Sequence, residues 1–359
     1  MTRIEVITNL EGLHALAPDW KSLGARFPTP LLQYEWFLSC AEALYPGGEL
    51  RVVTLEEDGR LTALAPLAQV RRRHGRWLEI MGVSKLHEPA GLLYENPAAL
   101  ERLMQALTRL GHPLDLGRLP GSSPLLTGPG IHIDARGLWL RRPGADRCVL
   151  DLQEGWDGVW SAMRKSRRTD FRRLERRARD QGGFQLQVEK PVPAQVDDLL
   201  EQAMDIEAAG WKASRGNTLR QDPILADFFH RYCRRMAEHG ALHLYYLRLG
   251  GHTVAMHVTV SFASVLWVLK IGYDERWRNL SPGLYLALET IRHAAQNGLS
   301  AYEFLGSAED WQGAWPTRRE SHGTRICLPL SAEGMRGLLD LASTRLGRHT
   351  SRPDRAAPA

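Results

Sequence analysis

The chain has 359 residues, 43% hydrophobic and 24% charged, with 46 Lys plus Arg against 41 Asp plus Glu. That composition excludes a disordered chain, a collagen-like chain and a small disulfide scaffold, and the length exceeds what one hydrophobic core usually supports. The net charge of +5 is concentrated: Arg164 to Arg179 (RKSRRTDFRRLERRAR) holds nine basic and two acidic residues, leaving the remainder slightly acidic. Cys40, Cys148, Cys233 and Cys327 lie far apart without a C-x-x-C pair. This suits a reducing cytoplasm and argues against structural zinc. The start, MTRIEVITNL, lacks the apolar run of a signal peptide. The most apolar stretch, 253–273, is broken by His257, Ser261, Ser264 and Lys270 and alternates like strands, so no transmembrane segment is expected.

In chain order, a β-like segment (4–7) precedes a helix containing 33–44. Strands at 50–55 and 61–70 flank the turn Glu57-Asp58-Gly59. A helical window, 97–110, leads into an irregular Gly- and Pro-rich stretch, 111–144, where a domain boundary is expected. A strand at 147–152 and helical patterns at 156–163 and through the basic segment follow, with Gly182-Gly183 as the stop. Next come a strand (184–188), helices near 194–209 and 223–238, and strands at 241–249, 252–262 and 265–273 joined by tight hairpins. A helix at 282–297 and strands at 301–305 and 324–330 complete an α+β pattern. The end, RLGRHTSRPDRAAPA, reads as a frayed basic tail.

Several chemistries lack their residues. There is no G-x-x-x-x-G-K phosphate loop, no G-x-S-x-G elbow and no H-E-x-x-H. His252 and His257 fall on opposite faces of one strand, so no metal site is expected. The informative string is 270–283, KIGYDERWRNLSPG, ahead of a helix. Ser281 stands at the N-cap and Pro282 at the first helical position, where its missing N–H costs nothing. A helix start of this kind presents unpaired N–H groups and a positive dipole end, with Arg276 and Arg278 just outside. Gly283, lacking a Cβ, permits close approach. The residues fit a pyrophosphate, or equally a well-capped helix that binds nothing.

Here the sequence resembles a family. Arg278-Asn279-Leu280-Ser281-Pro282-Gly283 is similar to the pyrophosphate loop of GNAT acyltransferases, [Q/R]-x-x-G-x-[G/A], with Ser281 in place of the first glycine. The Ser-Pro-Gly ending resembles the CelD/BcsL-type bacterial acetyltransferases, relatives of the Fem peptidyltransferases. Gln33-Tyr34-Glu35-Trp36, Ala65-Pro66-Leu67, the basic helix, Trp211-Lys212-Ala213, Glu303-Phe304-Leu305 and Trp311-Gln312-Gly313-Ala314-Trp315 resemble further family segments, in order over about 300 residues. Glu303 and Gln312 depart from the family's aspartate and lysine. The resemblance implies two tandem GNAT-like domains with mixed, largely antiparallel sheets: a degenerate one at 1–145 and an acyltransferase domain at 146–345, followed by a tail at 346–359.

That resemblance implies acyl-CoA as donor, held by Arg276, Arg278, Asn279, Ser281, Pro282 and Gly283, and no metal. Acyl transfer needs a proton acceptor, for which Glu303 and His257 are the candidates. A solvated carboxylate and a hydrogen-bonded core histidine are the plainer alternatives. Lys270, which alternation places with Leu266 and Val268, pairs with a buried acid or meets an anionic substrate. Trp211, Lys212, Asp310, Trp311 and Gln312 are candidates for binding the amine acceptor. On the basic helix, Trp160, Met163, Phe171, Leu174 and Ala178 form a packing stripe interrupted by Arg167, leaving arginines for an acyl carrier, RNA or lipid headgroups. The expected activity is N-acyl transfer to an amine of a small molecule or of a cell-envelope or polysaccharide precursor. A Fem-like aminoacyl-tRNA-dependent transferase and a non-catalytic binding protein are the alternatives.

Overall fold

A computed structural model describes residues 2–134, 136–210 and 218–350. The N-terminal strands are β1 (Thr2–Ile7), β2 (Leu50–Glu57), β3 (Arg60–Arg71), β4 (Arg76–Ile80), β5 (Leu93–Tyr94), β6 (Leu114–Pro120), β7 (Ile131–Asp134) and β8 (Gly137–Pro143). The later ones are β9 (Arg147–Asp151), β10 (Phe184–Glu189), β11 (Leu242–Leu249), β12 (His252–Phe262), β13 (Val265–Tyr273), β14 (Ala301–Glu303), β15 (Arg318–Glu320) and β16 (His322–Pro329). They form two sheets, ordered β1-β2-β3-β4-β6-β16-β8-β7, with β5 on β3, and β10-β11-β12-β13-β14-β9-β15. Most pairs are antiparallel; β4–β6 and β13–β14 are parallel. The α+β class with two mixed sheets is therefore as the sequence implies.

Two features differ from the sequence reading. The segment 111–144 contains β6, β7 and β8 rather than irregular chain. The strand near 324–330 joins the N-terminal sheet, where β16 lies between β6 and β8. Its alternating pattern identifies a strand but says nothing of which sheet receives it.

The helices are α1 (Leu10–Ala15), α2 (Ala17–Gly24), α3 (Tyr34–Leu44), α4 (Val83–Leu86), α5 (Pro97–Arg109), α6 (Gly155–Ala162), α7 (Lys165–Arg179), α8 (Val196–Ala208), α9 (Pro223–Glu238), α10 (Pro282–Gln296) and α11 (Ala332–Thr350). The last of these runs on into the segment expected as a tail. Helices α8 and α9 pack on one face of the C-terminal sheet, while α6, α7 and α10 cover the other. The α8–α9 face shares one continuous apolar cluster with the N-terminal domain. At that junction Trp36 of α3 meets Phe228 and Tyr232 of α9 edge-on, at 5.0 and 4.9 Å between ring centres. Arg235 grips both oxygens of Glu42, at 2.9 and 2.7 Å. Among the described residues no helix is long and apolar enough to cross a membrane.

Candidate active site

The site begins where two parallel strands part. β13 and β14 pair only from Val265/Ala301 to Trp267/Glu303. Beyond that, Val268 to Ile271 on one side and Phe304 to Gly306 on the other line an interdomain cavity of about 410 Å3. Backbone groups released from a ladder must find partners elsewhere, and on the β14 side they do: the Phe304 amide donates to the Cys148 carbonyl at 3.2 Å, and the Leu305 and Gly306 amides turn to carboxylates. A second cavity, of about 310 Å3, lies at the start of α10. The two share Ile271, Glu309 and Trp311 as walls.

The proposed donor loop forms a 3-10 turn, Glu275–Leu280, ending at Ser281 with φ of +46°. Ser281 does not cap α10 through its side chain, contrary to expectation. Its left-handed backbone gives the reason a glycine suits this position. The amides of Gly283 and Leu284 sit in the first turn, where no intrahelical acceptor exists, and both residues line the α10 cavity. A Cβ on Gly283 would lie 3.1 Å from the Tyr273 ring, a tight contact that would press the ring aside by a few tenths of an ångström. Arg278 and Ser281 complete this wall.

Not every expected loop residue reaches the cavity. Arg276 turns back onto Asp274, with contacts of 2.6 to 3.1 Å, and holds that carboxyl below its ordinary range. Asn279 is exposed and outside both cavity walls. Pro282 is buried in the first turn of α10, as its fixed φ favours.

His257 lines the α10 cavity yet is 2% exposed, with its Nδ1 3.4 Å from the Thr290 hydroxyl. That hydroxyl is also 3.0 Å from the Tyr302 hydroxyl. Lys270 lines the interdomain cavity and lies 3.6 Å from the fully buried Glu207, over the Phe229 ring. Its face is the opposite of the one expected. Val258 pairs with Lys270 but Thr259 pairs with Val268, so Leu269 is an extra residue and alternation reverses. Glu303 is buried, paired with Arg147, and accepts the Leu305 N–H at 3.1 Å. It lines neither cavity.

Trp311 lines both cavities and donates its indole N–H to Glu309 at 2.7 Å. Gln312 lines the interdomain cavity, and its side-chain oxygen accepts the Glu309 amide at 2.9 Å. It thus supports the turn that presents Trp311. Asp310 is exposed and lines neither cavity. Trp211 and Lys212 lie outside the described residues. Among the described residues no group of His, Cys, Asp or Glu is arranged to hold a metal ion.

Sequence reasoning missed Glu88, Glu207 and Glu309. Glu88 sits in a loop after α4, with no motif around it, and lines the interdomain cavity from the N-terminal domain. Its Oε2 accepts the Gly306 N–H at 3.0 Å, while Arg118 donates to the Gly306 carbonyl at 2.6 Å. Burial pushes the Glu88 carboxyl up to about 7 against the pull of Gly306, Arg118, Lys270 and Arg147. These partners are too distant in sequence for any local pattern to reveal them.

The basic helix α7 buries Phe171, Leu174 and Ala178. Leu280 of the donor loop belongs to the same apolar cluster. The rest of the helix is mostly exposed arginine, partly neutralised by Arg173–Asp170 and Arg179–Glu175 pairs. Exposed pairs of this kind contribute only ~0.3–0.5 kcal/mol, so most of the positive field persists.

Residues 165–313 match the family model of the acetyltransferase (GNAT) domain. The matched stretch runs from α7 through the donor loop to Gly313. No curated protein matches the chain. Among solved structures, FemX is similar with a TM-score of 0.58 and 12% identity, covering 94% of this chain and 100% of its own. The C-terminal domain of a protein assigned as a lysylphosphatidylglycerol synthetase in Agrobacterium fabrum gives 0.54 and 10%, covering 92% and 96%. A conserved protein of unknown function from Bacteroides thetaiotaomicron gives 0.51 and 11%, covering 91% and 99%. At such identities these likenesses describe the fold.

Proposed function

We propose that the protein is an N-acyltransferase of the CelD/BcsL type that uses acyl-CoA. The observation that carries this reading is a pair of neighbouring cavities that share Ile271, Glu309 and Trp311 as walls, one of them at the amide-presenting start of α10. The donor's pyrophosphate is held by the Gly283 and Leu284 amides, the positive end of α10 and Arg278. The thioester lies toward the β13–β14 split, and an amine of a small molecule or cell-envelope precursor approaches from the interdomain cavity. Arg276 and Asn279 act only in shaping the loop. The isolated, buried thiols suit work in the cytoplasm.

CoA at a hundredfold excess over its Kd stabilises the protein by about 2.7 kcal/mol. We expect a rise of several degrees in Tm with CoA, and about tenfold weaker binding for Arg278→Ala by calorimetry. No heat of CoA binding to the wild type refutes the reading. The position of α7 beside the donor loop favours a second reading, an aminoacyl-tRNA donor. Tight tRNA binding that falls steeply with salt, with no CoA binding, selects it.

A further inference from the structure

The interdomain cavity is walled by both halves of the chain. Trp36, His87 and Glu88 come from the N-terminal domain, and Lys270, Glu309 and Trp311 from the C-terminal one. Most of its charged groups are already engaged. Lys270 faces Glu207, Glu309 accepts the Trp311 indole, and Asp222, also in the wall, caps α9 through the Leu225 amide at 3.0 Å. Glu88 differs. One of its oxygens takes the Gly306 amide, and among the described residues the other makes no hydrogen bond and no cation lies within ion-pair distance. Trp36 and Trp311 add aromatic rings to the wall, and aromatic rings attract an ammonium group.

We propose that this cavity binds the ammonium group of a primary-amine acceptor and that Glu88, from the N-terminal domain, takes its proton. This rests on the acyl-thioester reading above. The Glu88 carboxylate accepts one proton from the ammonium, leaving a neutral amine whose lone pair attacks the thioester carbonyl. The C–N bond forms and the C–S bond breaks. The second nitrogen-bound proton leaves to the departing thiolate, giving amide and thiol, and Glu88 returns its proton to solvent. A carboxyl lifted to about 7 is suited to this exchange near neutral pH. The charged and titratable groups around it are Arg118 of β6, Arg147 of β9, Lys270 of β13, the neighbouring His87 and Lys85, and Glu309 across the cavity. The N-terminal domain is thereby part of the catalytic unit.

The test uses the full chain, Glu88→Gln, which preserves an acceptor for the Gly306 amide, and Glu88→Asp. Thiol release from acetyl-CoA is measured with ethanolamine, spermidine, glucosamine and lysine from pH 5.5 to 9. The wild type should show kcat/KM rising through about pH 7. Glu88→Gln should lose that limb and about 10²–10⁴ in rate with unchanged CoA affinity, and Glu88→Asp should keep the limb. A Glu88→Gln enzyme with the wild-type rate and limb overturns the proposal. Calorimetry of the same amines without CoA, at pH 7 in buffers of different ionisation enthalpy, separates this result from failure of the donor reading. Proton release by the wild type but not by Glu88→Gln supports the site even if CoA does not bind. Equal release, or no binding by any of these amines, overturns it.

Discussion

Glu88 and Glu303 are both acids at the junction of the two domains, and their partners decide what each can do. Glu303 is spent on structure: Arg147 and the Leu305 amide occupy it, and Leu305 is thereby held at φ of +55°. That turn carries Gly306, the residue whose amide meets Glu88. The acid visible in the sequence thus holds the turn that meets the one that was not. A family-like E-F-L string points to Glu303, whereas Glu88 acquires its environment from residues far along the chain. The difference is measurable in stability. The folded state raises Glu88 from 4.5 to about 7, so it binds the proton more tightly than the unfolded chain. Wild-type stability is therefore lost as pH rises through that window, while Gln does not titrate. The stability gap between Glu88→Gln and wild type should widen from pH 4.5 to 7 by up to ~3 kcal/mol and then level, as urea unfolding would record. His322, lowered to about 4 by burial and by Arg147 and Arg118, acts oppositely in both proteins and cancels in the difference.

At the scale of elements, most strands and helices follow from periodicity, and the exceptions have local causes. The hairpin turns at Gly250-Gly251 and Ala263-Ser264 all have positive φ, as two-residue turns between twisted strands require. The bulge at Leu269 reverses the face of Lys270, and no alternation rule anticipates an inserted residue. Strands β7 and β8 were hidden by the Gly and Pro residues around them. The donor loop allows a direct trial of the Ser281 geometry. A β-branched residue is strongly disfavoured in the left-handed region. Ser281→Val should cost about 2 kcal/mol in denaturant midpoint measurements and weaken CoA binding, because the amides behind it shift. Ser281→Gly should stay within about 0.5 kcal/mol, since freedom gained in the unfolded chain offsets the strain relieved.

For the whole molecule, the α3–α9 contact is a principal place where the two domains meet. Trp36 fills the junction between Phe228 and Tyr232 and also lines the interdomain cavity. Its replacement by alanine should cost about 3–5 kcal/mol in chemical denaturation, the usual loss for a buried aromatic ring. Because the cavity wall goes with it, amine affinity in the calorimetric assay should fall as well. Two domains were legible from length and family resemblance, but their shared core was not, since apolar patterning marks a buried face without naming what covers it.

The placement of β16 has a further consequence for how the chain is made. Chains usually emerge from the ribosome so that an early domain can close before a later one appears. Here β6 and β8 are joined through a strand that ends at Pro329. The first sheet must wait in two pieces while nearly the whole second domain is synthesised. A premature stop before His322 would therefore leave the earlier domain open, and late nonsense mutations should be as damaging to the N-terminal half as to the half they truncate.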